Sequence, residues 1–212
     1  NYFLRANGTW TVVALPPGKK AIGSKWVYKV KLQANGQVER YKAKLVAKGY
    51  SQQEGLDYHE TFSHVAKMVT VRTTISVAAS QDWPFYQMDV HNAFLQGDLP
   101  EDVYMVIPPG FCRQEDSSKV CKLHKFLYGL KQTPRQCNLK LTDALVQLGL
   151  VQSHYDYSLF TRTVGTDIVL VLVYVDDLLV TGSSSSLILK TRCDLQIKFK
   201  MKDLGKLKFF SW

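Results

Sequence analysis

The sequence predicts an α+β fold built on an antiparallel sheet. Short alternating segments are joined by turn residues, not by regular strand–helix–strand units. Only three stretches carry helical periodicity, and one strand runs into the next across just Asp176-Asp177. Segregated helices and hairpin-linked strands favour an antiparallel sheet over a doubly wound one.

Each element has its own local reason. Ser24 to Leu32 alternates, with Trp26, Tyr28 and Val30 on one face and Lys25, Lys29 and Lys31 on the other, and Asn35-Gly36 then supplies a favoured hairpin turn. Val38 to Val46 is the return strand of this lysine-rich ribbon. Val69 to Ser80 reads as a helix with Val69, Thr73, Val77 and Ser80 on one face and Ile75, Ala78 and Ala79 extending the apolar side. Trp83-Pro84 ends it, because proline lacks a donor and restricts its predecessor. Phe85 to Val90 and Val103 to Ile107 read as strands, and Val120 to Leu130 as mixed. Pro134 suits the first turn of a helix running to about Leu148, with Gly149 as its stop. Ser158 to Thr163, Asp167 to Val175 and Leu178 to Thr181 read as strands, and Leu187 to Phe199 as an amphipathic helix.

Composition and charge narrow the function classes. With 46% hydrophobic and 21% charged residues the chain has the means to bury a core. Its longest apolar run, Ile168 to Val175, is eight residues, against the roughly 20 a membrane helix needs. Residues 1–50 hold ten Lys/Arg against one acid, so this segment alone matches the whole chain's net +9. Charge concentrated in that way points to a polyanionic partner. Lys119 to Lys140 and Lys190 to Lys208 are further basic stretches. The four cysteines, Cys112, Cys121, Cys137 and Cys193, form no C-x-x-C pair and are expected as buried thiols. His59, His64, His91, His124 and His154 have no metal-ligand spacing. The opening NYFLRANGTW and the closing LKFFSW read as cut ends of a longer polyprotein.

The residues that carry chemistry are carboxylates in apolar strands. Asp176 and Asp177 interrupt a hydrophobic run, which is costly unless a wet hairpin tip or a bound cation compensates them. Asp89 closes another strand-like segment. Strand-end carboxylates on neighbouring strands are able to hold two divalent ions about 4 Å apart for an in-line phosphoryl displacement. Alternation along a strand makes Asp176 the expected nearer ligand of the two consecutive aspartates.

Tyr174-Val175-Asp176-Asp177 is similar to the signature box of reverse transcriptases. The chain resembles the copia-type retrotransposon family in seven ordered segments, 7–31, 39–52, 65–79, 87–111, 120–135, 170–182 and 201–210, among them QMDVHNAFLQGDLPEDVYMVIPPGF and LVLVYVDDLLVTG. The resemblance implies a right-hand polymerase, with residues 1–86 mainly fingers, 87–111 palm, 112–150 a connection and helix, 151–200 palm, and 201–212 the start of a largely missing thumb. It implies RNA-directed DNA polymerisation, with dNTPs added to a primer on an RNA or DNA template by Asp89, Asp176 and Asp177. Two Mg²⁺ ions, or Mn²⁺, would be held by these aspartates and the Val90 carbonyl. Phe94 matches the steric gate against a ribose 2′-OH, and Gln132 the contact to the incoming nucleotide. Lys29 or Lys31, with Lys42 or Lys44, would clamp triphosphate and template, and Tyr174, Lys131 and Arg135 would contact nucleic acid. Ribonuclease H and integrase regions of the polyprotein are implied partners, and a cytoplasmic virus-like particle the implied location.

Three positions depart from the family pattern: Cys137 replaces a Trp, His64 a Pro and Thr133 an Ala. A small residue in a Trp site costs about 3–5 kcal/mol. Intact aspartates in a drifting scaffold therefore leave a second reading, an inactive remnant that at most binds nucleic acid. A nuclease or phosphatase would use the same carboxylates but would account for neither Phe94 nor Gln132.

Overall fold

The computed structural model describes residues 8–33, 35–89, 97–111, 118–174, 177–199 and 201–207. Val90, Phe94, Cys112 and Asp176 lie outside the described residues. The chain divides into two compact units, one from residues 1–62 and 94–135, the other from residues 63–93 and 136–212.

In the first unit, β1 (Trp10–Ala14), β5 (Tyr104–Val106) and β6 (Lys119–Leu123) form an antiparallel sheet in the order β1-β6-β5. Beside it in sequence, β2 (Ser24–Leu32) and β3 (Val38–Ala47) form a two-stranded ribbon. The ribbon turns at Asn35-Gly36 as the sequence predicts, with Gly36 at φ +83°. Only its base is buried. Leu45 and Ala47 join a core with Val103, Met105, Leu123, Phe126 and Leu127, against which Trp26 packs. Further out, Tyr28 is 75% and Tyr41 81% exposed, so the apolar face of the alternation is not a core face.

The second unit is a six-stranded antiparallel sheet in the order β11-β4-β10-β9-β8-β7. Its strands are β4 (Tyr86–Asp89), β7 (Val151–Gln152), β8 (Leu159–Val164), β9 (Asp167–Tyr174), β10 (Asp177–Gly182) and β11 (Lys202–Lys206). The helices are α1 (Met68–Ser80), α2 (Thr133–Gln147) and α3 (Ser185–Phe199), and most of α2 belongs to this unit. One sheet face, with Met88, Val169, Val171, Val173, Leu178 and Val180, packs on Leu141 and Leu145 of α2 and on Ile188 and Leu195 of α3. The other face presents Leu172 and Leu179 to Val71 of α1. Burying each such aliphatic side chain contributes about 2 kcal/mol.

The expected mixture of helices and antiparallel sheets is observed, with two corrections of detail. α1 buries Val71, Thr74 and Ala78, whereas Val69 and Val77 are exposed. Valines and alanines surround this helix, so periodicity alone does not choose its packed face. Of the described cysteines, none in a disulfide, Cys121 is buried but Cys193 is exposed. β1, β7 and β11 and the 3-10 turn Gly49–Ser51 were not among the predicted elements.

Candidate active site

In the second unit the register of three ladders gathers a row of polar residues at one end of the sheet. Asp89 on β4 pairs with Asp177 on β10, Asp177 also pairs with Tyr174 on β9, and Lys202 on β11 pairs with Asp89. Cross-strand partners share a face with Cβ atoms about 5 Å apart. The row is therefore Lys202, Asp89, Asp177, Tyr174, on the face that carries Leu179 and Leu172. Met88 and Leu178, one residue along, point into the opposite core. Apolar residues on both sides thus fix the register that sets the carboxylates side by side.

Gln87, two residues before Asp89 and so on the same face, donates Nε2 to Asp177 Oδ1 at 3.2 Å. Burial raises the Asp177 carboxyl above the usual carboxylate range; the Gln87 hydrogen bond opposes the shift and the nearby Asp89 charge adds to it. Two carboxylates of which one resists ionisation form a pair that a cation would stabilise. The cross-strand partner of Asp89 is Asp177, and Asp176, the expected nearer metal ligand, has no described counterpart in this row. The expected ligand at Val90 and the gate at Phe94 lie outside the described residues, as does Asp176 itself.

The predicted binding residues of the first unit form two groups. One ribbon face carries Lys25, Lys29, Lys31, Arg40, Lys42 and Lys44, with Lys29 opposite Lys42 and Lys31 opposite Arg40. Lys44 Nζ stands 4.1 Å from the centre of the Tyr128 ring, a cation–π contact that holds the lysine in place.

The second group surrounds Gln132, which is fully buried rather than a solvated loop amide. Its Oε1 accepts from Gln52 Nε2 at 3.1 Å, and its Nε2 donates to the Asp57 carbonyl at 3.0 Å. Gln52 Oε1 accepts from the Lys131 amide at 2.9 Å. Lys131 Nζ donates to the Gln52 carbonyl and to Tyr58 Oη, 4.8 Å from that ring's centre. Gly49 and Gly129 allow the close approach, because a Cβ on Gly49 would meet the Gly129 oxygen at 2.0 Å and one on Gly129 the Ala47 oxygen at 2.2 Å. Arg135 forms an ion pair with Glu60 and donates to the Phe62 carbonyl. Thr133, the departure from Ala, donates its hydroxyl to the Leu127 carbonyl at 3.1 Å. Within the second unit His64, the departure from Pro, packs its ring 4.6 Å from that of Tyr157.

Gln52, Gln87, Tyr58, Tyr128 and Lys202 were not among the predicted site residues. Gln87 alone had a signal, its strand spacing from Asp89.

A carboxylate pair seated on antiparallel strands is the kind of centre nucleotidyl-transferring enzymes use. Residues 7–211 match the family described as reverse transcriptase (RNA-dependent DNA polymerase), and the chain belongs to that family. It is 47% identical over 205 residues to the retrovirus-related Pol polyprotein from transposon RE1 of Arabidopsis thaliana and 44% over 203 residues to that from transposon TNT 1-94 of Nicotiana tabacum. The first match covers 96% of this chain and 14% of the relative, the second 95% and 15%. The chain thus spans about a seventh of these polyproteins, and the copia-type resemblance is borne out. A foamy viral protease-reverse transcriptase solved with double-stranded DNA aligns at a TM-score of 0.45 and 11% identity, covering 96% of this chain and 28% of that one. Among the described residues no helix is long and apolar enough to cross a membrane.

Proposed function

We propose that the chain is the fingers and palm of an RNA-directed DNA polymerase, adding dNTPs to a primer 3′ end on an RNA or DNA template. The cross-strand pairing of Asp89 with Asp177, within a chain of this family, carries the proposal. Residues 1–86 are assigned mainly as fingers and residues 87–111 and 151–200 as palm, although the compact units divide the chain at other points, with 63–86 in the six-stranded unit and 94–111 in the other.

The donor set suits Mg²⁺, which takes oxygen ligands and few of them from protein. Asp89 and Asp177 supply carboxylates on one face; Asp176 and the Val90 carbonyl are proposed to complete the set. Bound there, two divalent ions favour an ionised 3′ hydroxyl and offset charge on the leaving pyrophosphate. The chain's own residues orient and hold. Gln87 fixes the Asp177 carboxyl, and the ribbon lysines, Lys29 and Lys42 foremost, neutralise triphosphate and template phosphates. Phe94 is assigned the 2′-OH gate, and Tyr174, Lys131 and Arg135 are assigned nucleic-acid contacts. Gln132 is assigned the incoming nucleotide; its two internal bonds hold the amide while leaving one N–H and one Oε1 lone pair uncommitted. Ribonuclease H and integrase regions of the same polyprotein are the proposed neighbours, in a cytoplasmic particle.

Primer extension on an RNA template with Mg²⁺ and dNTPs tests the proposal. Extension that disappears in Asp89→Asn and Asp176→Asn supports it. A folded protein that binds primer–template but never extends it is the inactive remnant instead.

A further inference from the structure

By composition β11 is a poor strand, with two lysines, an aspartate and a glycine in five residues. It nevertheless pairs with β4 at the edge of the six-stranded sheet. An edge strand is held by a single ladder, so its register needs a further constraint.

That constraint lies on the face away from the carboxylates. Asp203 pairs with Met88 and so lies on the sheet face that packs against α3. There Arg192 of α3 donates to Asp203 Oδ2, and its guanidinium carbon lies 3.8 Å from the centre of the Tyr86 ring on β4. Asp203 Oδ1 accepts from the Gly205 amide at 2.8 Å. This bond closes the bulge between Asp203 and Gly205, where Gly205 takes φ +82°. Only 12% of the Arg192 side chain and 19% of the Asp203 side chain is exposed, so solvent screens the pair little. One clasp therefore ties α3, β4 and β11 together.

The register it fixes decides what stands beside Asp89. With the bulge, that residue is Lys202. A slip of one residue would turn β11 over and bring Asp203 there instead, setting three carboxylates on one face.

We infer that Arg192 and Asp203 are positioning residues that hold Lys202 beside Asp89, so that the sheet's own cation limits how tightly the carboxylate pair holds a divalent ion. This rests on the two-ion reading above. Neither clasp residue lies on the carboxylate face, so neither is a catalytic residue.

The test is Mn²⁺ titration of the folded chain, with amide hydrogen exchange read at residues 202–206. Arg192→Met, and Asp203→Asn as a second variant that retains an acceptor for Gly205, should speed exchange in β11 while β9 amides keep their rates. Each should tighten Mn²⁺ binding about three- to ten-fold, as expected for loss of one nearby charge. Lys202→Met should tighten it equally, and Lys202→Met with Arg192→Met should give no more than either alone. Arg192→Lys, which keeps the charge but loses the planar stack on Tyr86, should fall between wild type and Arg192→Met in both readouts. Unchanged exchange in β11, unchanged Mn²⁺ affinity, or full additivity would each overturn the inference. Wild-type protein that takes up no Mn²⁺ would sink the two-ion reading itself, a failure visible before any substitution is made.

Discussion

Asp89 and Asp177 stand opposite one another across the β4–β10 ladder, and Gln87 donates a hydrogen bond to Asp177 from the same face. Like charges placed directly opposite are destabilising, and burial adds to the cost of ionising Asp177. Asp177→Asn should therefore stabilise the fold at neutral pH by roughly 0.5 kcal/mol while abolishing primer extension. Thermal melts beside extension assays check this, and a loss of stability would contradict it.

The buried amide pair of Gln52 and Gln132 gives a second expectation. Gln132→Ala leaves the Gln52 amide and the Asp57 carbonyl without a partner, which costs about 1–3 kcal/mol. Gln52→Ala should cost a similar amount, because it leaves the Lys131 amide without its acceptor, while the Lys131 ammonium keeps the backbone carbonyl of residue 52 and Tyr58 Oη. Urea unfolding measures the first effect. If Gln132 itself contacts nucleotide, only Gln132→Ala should raise the dNTP KM beyond what the shared instability explains.

Gly129 combines φ +90° with backbone 2.2 Å from where a Cβ would lie. Gly129→Ala should destabilise by at least about 2 kcal/mol, from backbone strain and overpacking together. Gly36→Ala in the ribbon turn also has positive φ but open space around it, and its cost should stay near 1 kcal/mol. Comparing the two denaturation midpoints separates clash from strain.

Asp156 closes the start of α1 from a distant loop: its Oδ2 accepts from the Lys67 amide at 2.9 Å and its Oδ1 from the Ser158 hydroxyl at 2.6 Å. Burial pushes its carboxyl up, but hydrogen bonds from the Ser158 and Thr70 hydroxyls and the Ser158 and Lys67 amides outweigh it and hold the group below the usual carboxylate range. A carboxyl depressed in the folded state contributes stability above its unfolded value of 3.8, lost as pH falls through the lower folded value. Asp156→Asn should thus cost about 1 kcal/mol at pH 6. The difference from wild type should shrink in melts taken below pH 4.

Lys29 and Lys42 repel one another across the ribbon. Lys29→Glu, which sets an acid opposite Lys42, should leave stability within about 0.5 kcal/mol of wild type or raise it. It should weaken binding to primer–template and lower the slope of log affinity against log salt by about 1 or more. Fluorescence anisotropy at several salt concentrations measures that slope.

Much of this fold was legible because local signals agreed with the global pattern. The ribbon strands, the Asn35-Gly36 turn, the strand before Asp89 and the helix opened by Pro134 all lie within two residues of where alternation and turn chemistry put them. The missed elements have another origin. β11 is a strand only because β4 offers it a ladder and Arg192 anchors it, and no window of the sequence contains either fact. The same holds for the candidate site. Asp89 and Asp177 were visible as charges among apolar residues, whereas Gln52 and Gln132, 80 residues apart, meet only in the fold.

The ribbon of β2 and β3 leaves Tyr28, Val30, Leu32 and Tyr41 exposed, and among the described residues no third strand joins its sheet. Such a segment is a template for pairing with a second copy of itself, and charged side chains on strand edges are the usual protection. The lysines assigned to phosphate would then have a second duty, keeping neighbouring chains apart by mutual repulsion. Nucleic acid that neutralised them would also occupy the ribbon, whereas high salt screens the same charges and leaves the ribbon bare. Self-association of the free chain should therefore rise with ionic strength, through the same residues proposed to hold a template.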